Sequence, residues 1–380
     1  MTSYRYSPAR LLWTLSLLAV TLAACIPATA LPAPTETATS SPVPTETPTA
    51  TLTSTPTSTP TPIRTPPALP VLYQNDSLTP FGSPQPYVQE PCQVLQDKWS
   101  SANSAPGTVA MVIMFHSVTN NAVTSPSQIS EYDFRQLMSR LHDDGFQAIT
   151  TLQLADFMEK NARIPPRSVL LVVDDRKSSE YFNILFRQYW EQYGWPVVNA
   201  WISTDLSSAD LWQQQVDLHN EGWVDYQAHG VVHNIGMGPD ASDEYIYSEL
   251  QGSIDRFLLH FGEPPIAIIW PLGEFTPRAA EVARQLGYRL GFTVNPRGPV
   301  MFNWVPLADT LDPRRPTWIP EGPVNDPLMV LPRYWDTDAI IHINDVMQVG
   351  QEAAAYAEQN QVTELEYYDI VCAPQYGPIP

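Results

Sequence analysis

Asp174 and Asp175 stand side by side at the end of the apolar run Ser168-Val-Leu-Leu-Val-Val, and His229 and His233 follow downstream as His-Gly-Val-Val-His. Carboxylates cost free energy to bury unless they bind a metal, pair with a cation or take up a proton. Two histidines four apart face one side of a helical turn and can share an ion, so a helical turn is expected across His229 and His233. One Asp and two His make a three-ligand set with a position left for water, which is how a catalytic divalent metal is usually held. The other Asp is then free to act as a base. Taken alone, Asp-Asp at a strand end reads as a helix cap, and His-x-x-x-His is a weak motif. Their joint occurrence points to a metal centre.

The elements around these residues alternate. Val109 to Phe115 and Val169 to Val173 are uncharged apolar runs, as expected of strands buried on both faces. Ser130 caps a helix through Phe134, Leu137 and Leu141 towards Gly145. A short strand is expected at Ala148–Thr150, helices at Leu152–Asn161, Tyr181–Tyr193, Ala209–Gly222 and Asp243–Phe261, and strands at Val197–Ile202, Val224–Ala228, Ile266–Trp270 and Leu290–Val294. Pro277 opens a helix that Gly287 ends. A last strand near Leu328–Leu331 precedes a helix from Thr337 to about Gln359. Strict alternation implies an α/β fold with a parallel sheet, and seven or eight units imply a distorted (β/α) barrel. An open doubly wound sheet is the other architecture this pattern allows. His116, Asp174, Asp175, His229 and the turn Trp270-Pro271-Leu272-Gly273 all fall after strands. That is the face where such enzymes build their sites.

The N-terminal part is expected to address the chain, not to fold. Arg5 and Arg10 precede an apolar stretch too short to span a membrane, which ends in Leu22-Ala23-Ala24-Cys25. Small residues before a lone Cys look like a lipobox, so residues 1–25 read as a lipoprotein signal with Cys25 lipidated. Residues 26–70 are mostly Thr, Pro, Ser and Ala, with too few large apolar groups to offset the entropy of ordering. They read as a disordered tether reaching up to roughly 140 Å at about 3.1 Å per residue. Residues 71–107 form an N-terminal extension, and residues 108–380 the α/β domain. The net charge of −20, with 20 basic against 40 acidic residues, argues against nucleic acid and polyanionic partners. Cys92 and Cys372 lie near the two ends of the folded part of an exported chain. A disulfide between them is expected, with two buried thiols as the plain reading.

These residues resemble the polysaccharide deacetylase family, the NodB-homology carbohydrate esterases, and within it the poly-N-acetylglucosamine deacetylases. The likeness covers roughly Val109 to Val346. It rests on Phe115-His116-Ser117, Ile164-Pro-Pro-Arg-Ser-Val, Val173-Asp174-Asp175, His229-Gly-Val-Val-His233, Trp270-Pro271-Leu272-Gly273, Leu286-Gly-Tyr-Arg-Leu-Gly-Phe-Thr293 and Leu331-Pro332-Arg333. The resemblance implies a NodB-like barrel and a divalent metal, usually zinc, held by Asp175, His229 and His233. It implies Asp174 as the general base, His116 as the acid that protonates the leaving amine, and the backbone at Leu272, between Pro271 and Gly273, as an oxyanion donor. The implied substrate is an N-acetylated polysaccharide of the cell envelope or matrix, met by an extracytoplasmic enzyme on a lipid anchor. The chain departs from the pattern where Arg176 replaces a glycine, Gly230 a hydroxyl residue and Leu272 a tyrosine. Arg176 beside the base is read either as pairing with it or as holding substrate.

Two other functions fit parts of the pattern. A non-catalytic carbohydrate-binding relative would keep the metal as structure, and Arg176 motivates that reading. A barrel glycosidase would need flanking carboxylates, which normally come from different strands, whereas Asp174 and Asp175 share one strand end.

Overall fold

The computed structural model describes residues 64–78, 82–204 and 206–380. The signal reading, including Cys25, and the tether reading up to residue 63 fall outside these residues. Residues 64–70, expected to be disordered, instead pack on the domain, with Arg64 paired to Glu366 and Asp369 and Leu69 against the Cys92 and Cys372 cluster. Seven strands carry the domain: β1 (Val109–Phe115), β2 (Arg167–Asp174), β3 (Val197–Trp201), β4 (Val224–Ala228), β5 (Ala267–Ile269), β6 (Leu290–Phe292) and β7 (Tyr334–Trp335). They line up as β6-β5-β4-β3-β2-β1-β7, every neighbouring pair parallel. Val109 sits opposite Arg167 and Phe115 opposite Val173, so β1 and β2 end level with one another.

The sheet curls until its edges nearly meet. Leu331 makes a parallel bridge to Phe292 at one edge. Its N–H donates to the Gly291 carbonyl at 2.8 Å, and its own carbonyl accepts from Thr293 at 2.9 Å. Three residues later Tyr334 pairs with Ile113 at the other edge. The Leu331-Pro332-Arg333 segment thus crosses the gap and closes the barrel. Gly291 permits the approach, because a Cβ there would lie 2.2 Å from the Met329 carbonyl oxygen. This closure decides against the open doubly wound sheet.

Period-2 alternation divides the strand residues between two cores. Ala110, Val112, Leu170 and Val172 share one apolar cluster. Val109, Met111, Ile113, Phe115, Val169, Leu171 and Val173 belong to the other. Around the sheet lie α1 (Pro91–Trp99), α2 (Glu131–Asp143), α3 (Thr151–Lys160), α4 (Ser179–Leu185), α5 (Arg187–Tyr193), α6 (Ala209–Glu221), α7 (Asp243–His260), α8 (Pro277–Gln285) and α9 (Asp336–Tyr367). Ser130, Thr150, Ser208, Ser242 and Thr276 each accept a first-turn N–H and so fix where their helices begin.

Four element readings change. The expected strand Ala148–Thr150 is Gln147–Ala148, because Thr150 is taken by a capping box with Gln153. The single helix over Tyr181–Tyr193 breaks at Phe186. The expected strand at Leu328–Leu331 is a 3-10 turn, Pro327–Met329, followed by the Leu331 bridge. The closing strand comes later, at Tyr334–Trp335, and α9 starts directly after it and runs to Tyr367, past Gln359.

The N-terminal extension is built into the domain. Gly82–Gln85 pairs antiparallel with Val305–Ala308. Lys98 of α1 meets the buried Glu364 of α9 at 2.8 Å, and Cys92 is disulfide-bonded to Cys372 across 280 residues of sequence. Chain-entropy theory assigns so long a loop about 5 kcal/mol. The extension also holds on by the Lys98 and strand contacts, so Cys92→Ser is expected to lower stability in urea denaturation by less than that figure while leaving a folded barrel. An unchanged midpoint would show that the bond contributes nothing.

Candidate metal centre and active site

The strand ends bring the predicted residues together. Asp174 is the last residue of β2, and Asp175 turns out of it with φ 71°. His116 directly follows β1 and His229 directly follows β4. Asp175, His229 and His233 each offer a ligand atom, all lying within 4.8 Å of one another. The donor chemistry suits a divalent ion. His229 is buried, and its Nδ1 lies 2.8 Å from the Ile269 carbonyl, which can only accept. Nδ1 therefore carries the proton and Nε2 keeps its lone pair, 3.9 Å from Asp175 Oδ1. Burial, reinforced by the neighbouring His233 ring, holds His229 below the usual imidazole range, so its ring is neutral.

The expected helical turn across the two histidines is not formed. Residues 229–233 are a loop, with Gly230 at φ 77° and His233 at φ 57°. It turns around the carboxylate of Glu249 on α7, which accepts from the amides of Val231, Val232 and His233. Hydrogen bonds from a helix ladder are replaced by hydrogen bonds to one buried anion. The Pro271–Gly273 turn abuts this loop, with Pro271 Cγ 3.2 Å from where a Gly230 Cβ would stand. Leu272 in that turn takes φ 57°, and its side chain is exposed.

Asp174 is buried and ionised. Burial pushes its carboxyl up, but the Arg333 guanidinium beside it overcomes this and holds it well below the usual carboxylate range. Arg333 Nη1 donates to Asp174 Oδ1 at 2.7 Å, and its Nε donates to the Thr293 carbonyl at 2.7 Å. The other carboxylate oxygen lies 3.6 Å from His116 Nε2. The His116 ring stacks on Trp335, with centroids 5.1 Å apart and planes 11° from parallel. Arg176, read as a possible partner of the base, points elsewhere. It is exposed and reaches Ser207 Oγ at 3.4 Å, while Arg333 fills the pairing role.

Four residues of the site had no role assigned from sequence: Arg333, Trp335, Asp336 and Glu249. Arg333 and Trp335 lie on or beside the closing strand, which was placed too early. Asp336 is 1% exposed and follows Trp335 at the start of α9. Burial, with a further push from Asp174, raises its carboxyl to about 7. The signal available for Arg333 was its place in the Leu-Pro-Arg segment, which gave no partner. Glu249 is one of four acidic residues in the α7 sequence, and nothing in that sequence singles it out.

The polysaccharide deacetylase family model matches residues 161–291. That stretch holds Asp174, Asp175, His229, His233 and the Pro271–Gly273 turn, and excludes His116 and Arg333. YxkH of Bacillus subtilis (strain 168), provisionally named a polysaccharide deacetylase, is 22% identical over 192 residues. The match takes in 49% of this chain and 64% of YxkH, so the chain spans under two thirds of that relative. Among solved structures, the Streptococcus pyogenes deacetylase PplD in complex with acetate is 19% identical, covering 63% of this chain and 98% of its own, with a TM-score of 0.49. The BpsB deacetylase domain of Bordetella bronchiseptica is 21% identical, covering 60% of this chain and 96% of its own, with a TM-score of 0.45.

Two measurements follow from the buried charges. Arg333→Gln leaves Asp174 charged and unpaired in the interior, a loss of about 3–5 kcal/mol at neutral pH. Because the folded carboxyl is depressed, the pair stabilises the fold above the ordinary carboxylate value of about 3.9, and the benefit fades as pH falls below it. The penalty in urea denaturation should therefore shrink towards pH 3, and a penalty independent of pH would contradict the assignment. Asp336 behaves oppositely. Between about pH 4 and 7 the folded chain keeps a proton there that the unfolded chain has lost, so this group weakens the fold as pH rises through that window. Asp336→Asn should be stabilised relative to wild type more at pH 8 than at pH 5.

Proposed function

We propose, from the match of residues 161–291 to the polysaccharide deacetylase family model, that this chain hydrolyses acetyl groups from N-acetylated sugars of a cell-envelope or matrix polysaccharide with the help of a divalent metal. The observation that carries the reading is one of juxtaposition. Three ligand atoms within 4.8 Å of one another stand at the strand ends beside a buried, ionised carboxylate that is not among them.

Asp175, His229 and His233 would hold the ion, and a one-carboxylate, two-imidazole set suits zinc. When bound, the ion supplies Lewis acidity towards the acetyl carbonyl and acidifies water at neutral pH. Asp174 acts as the proton acceptor. Arg333 occupies Oδ1 and keeps the group ionised, which leaves Oδ2 to receive the proton. His116 acts as the donor to the leaving amine, its ring plane fixed by Trp335. The backbone N–H at Leu272 faces the role of oxyanion donor. Arg176 meets substrate at the mouth instead of meeting the base. The same reading puts the enzyme outside the cytoplasm, tethered through the residues that precede Arg64 to a lipid on Cys25.

The test is metal content together with acetate release from N-acetylated chito-oligosaccharides, with and without chelator. Wild type should release acetate only when loaded. His233→Ala should lose metal and activity together. Asp174→Asn should keep its metal and release acetate about 100-fold more slowly or worse, the usual scale for a lost general base. Tight metal binding without acetate from any N-acetylated glycan would overturn the hydrolase reading in favour of a carbohydrate-binding module.

A further inference from the structure

Glu249 sits in the middle of α7 and is 1% exposed. A carboxylate at such a position carries a large desolvation cost unless its oxygens are well supplied with donors. The donors here are main-chain amides of the histidine loop. Oε2 accepts from Val231 at 2.8 Å, from Val232 at 3.1 Å and from His233 at 3.4 Å, and Oε1 accepts from Val232 at 3.1 Å. Successive amides turned towards one anion form a concave anion cradle, and that geometry demands unusual backbone angles. Gly230 at φ 77° and His233 at φ 57° supply them.

The neighbouring residues are matched to this carboxylate. A Cβ on Gly230 would stand 2.5 Å from Glu249 Oε2, so the carboxylate occupies the space a larger residue would fill. One turn further along α7, Gly252 makes room for Val231, whose Cγ2 lies 2.8 Å from where a Gly252 Cβ would be. The Gly230 carbonyl is held from the other side by the Ser203 N–H at 3.0 Å and the Ser203 hydroxyl at 3.2 Å. The loop is therefore pinned at both of its peptide faces between β3 and α7. Its two ends are the two imidazoles, with ring centroids 4.4 Å apart.

We infer that Glu249 is a positioning residue for the metal centre: its carboxylate, seated in the space left by Gly230 and bound by the Val231, Val232 and His233 amides, sets the loop conformation in which His229 and His233 converge on one ion. The inference rests on the metal-centre reading above. It also gives a reason for the glycine that stands in place of a hydroxyl residue in His229-Gly-Val-Val-His233. A side chain and the Glu249 carboxylate cannot both occupy that space.

The test uses the full chain and cobalt(II) as the probe, with affinity from chelator competition and ligand geometry from the visible absorption spectrum. Glu249→Gln keeps the size of the side chain but turns an amide N–H₂ towards backbone N–H groups. It should weaken cobalt binding about 10- to 100-fold, the scale of lost outer-shell support, and alter the spectrum. Gly230→Ala pushes on the same carboxylate from the loop and also strains the backbone at φ 77°, without disturbing the helix core, and should act in the same direction. Since both variants break one contact, Glu249→Gln combined with Gly230→Ala should cost less than the product of the two separate fold-losses. Wild-type cobalt affinity and spectrum in Glu249→Gln, or independent multiplicative losses, would overturn the inference, as would a lower melting temperature of the metal-free protein with cobalt affinity unchanged. A wild-type chain that takes up no cobalt would instead overturn the metal-centre reading, so the two failures are told apart.

Discussion

A guanidinium and a carboxylate taken out of water together are worth their desolvation only when the geometry is good and the spare donors are used. Arg333 and Asp174 meet much of that condition at a point where little else could. Arg333 lies on the segment that carries the chain from the β6 edge to the β1 edge, where a full strand is missing and one bridge stands in for it. Its side chain reaches inward to the end of β2 while its Nε holds the Thr293 carbonyl just past β6. One side chain thus ties the closing segment, the end of β6 and Asp174. The barrel cannot open at that seam without separating Asp174 from the guanidinium that pairs with it.

That dependence explains which parts of the molecule were legible beforehand. The apolar runs Val109–Phe115 and Val169–Val173 announced themselves because burial on both faces leaves only one kind of side chain possible. Helix starts at Ser130, Ser208 and Ser242 were local hydrogen-bond problems with local answers. The strand-end position of Asp174, Asp175 and His229 followed from those elements. The choice between Arg176 and Arg333 as the partner of Asp174 did not. Arg176 is two residues away and exposed, whereas Arg333 is 159 residues away and buried. Sequence proximity is a poor guide at a strand end, where the chain leaves the sheet and neighbouring side chains separate.

The histidine loop failed for a related reason. Spacing of four fits a helical turn, but a helix is one of several ways to satisfy consecutive amides. Here a carboxylate from α7 satisfies them, and it does so from 16 to 18 residues further along the chain. The convergence of the rings survived the wrong local geometry because it is fixed at the two ends, by the close of β4 at His229 and by the Glu249 contact at His233.

The long C-terminal helix has a directional consequence. It starts at Asp336 beside the mouth of the site and passes Gly107 and Val109, at the opposite end of β1, by the time it reaches Gly350. Its 32 residues extend about 48 Å at about 1.5 Å per residue. At its far end Glu366 lies 3.4 Å from Arg64, the first residue described, and Asp369 just beyond it also pairs with Arg64. The polypeptide therefore enters the domain at the pole away from the mouth. The mouth is thus left clear of the point where residue 64 meets the domain, with the length of β1 and much of α9 between them.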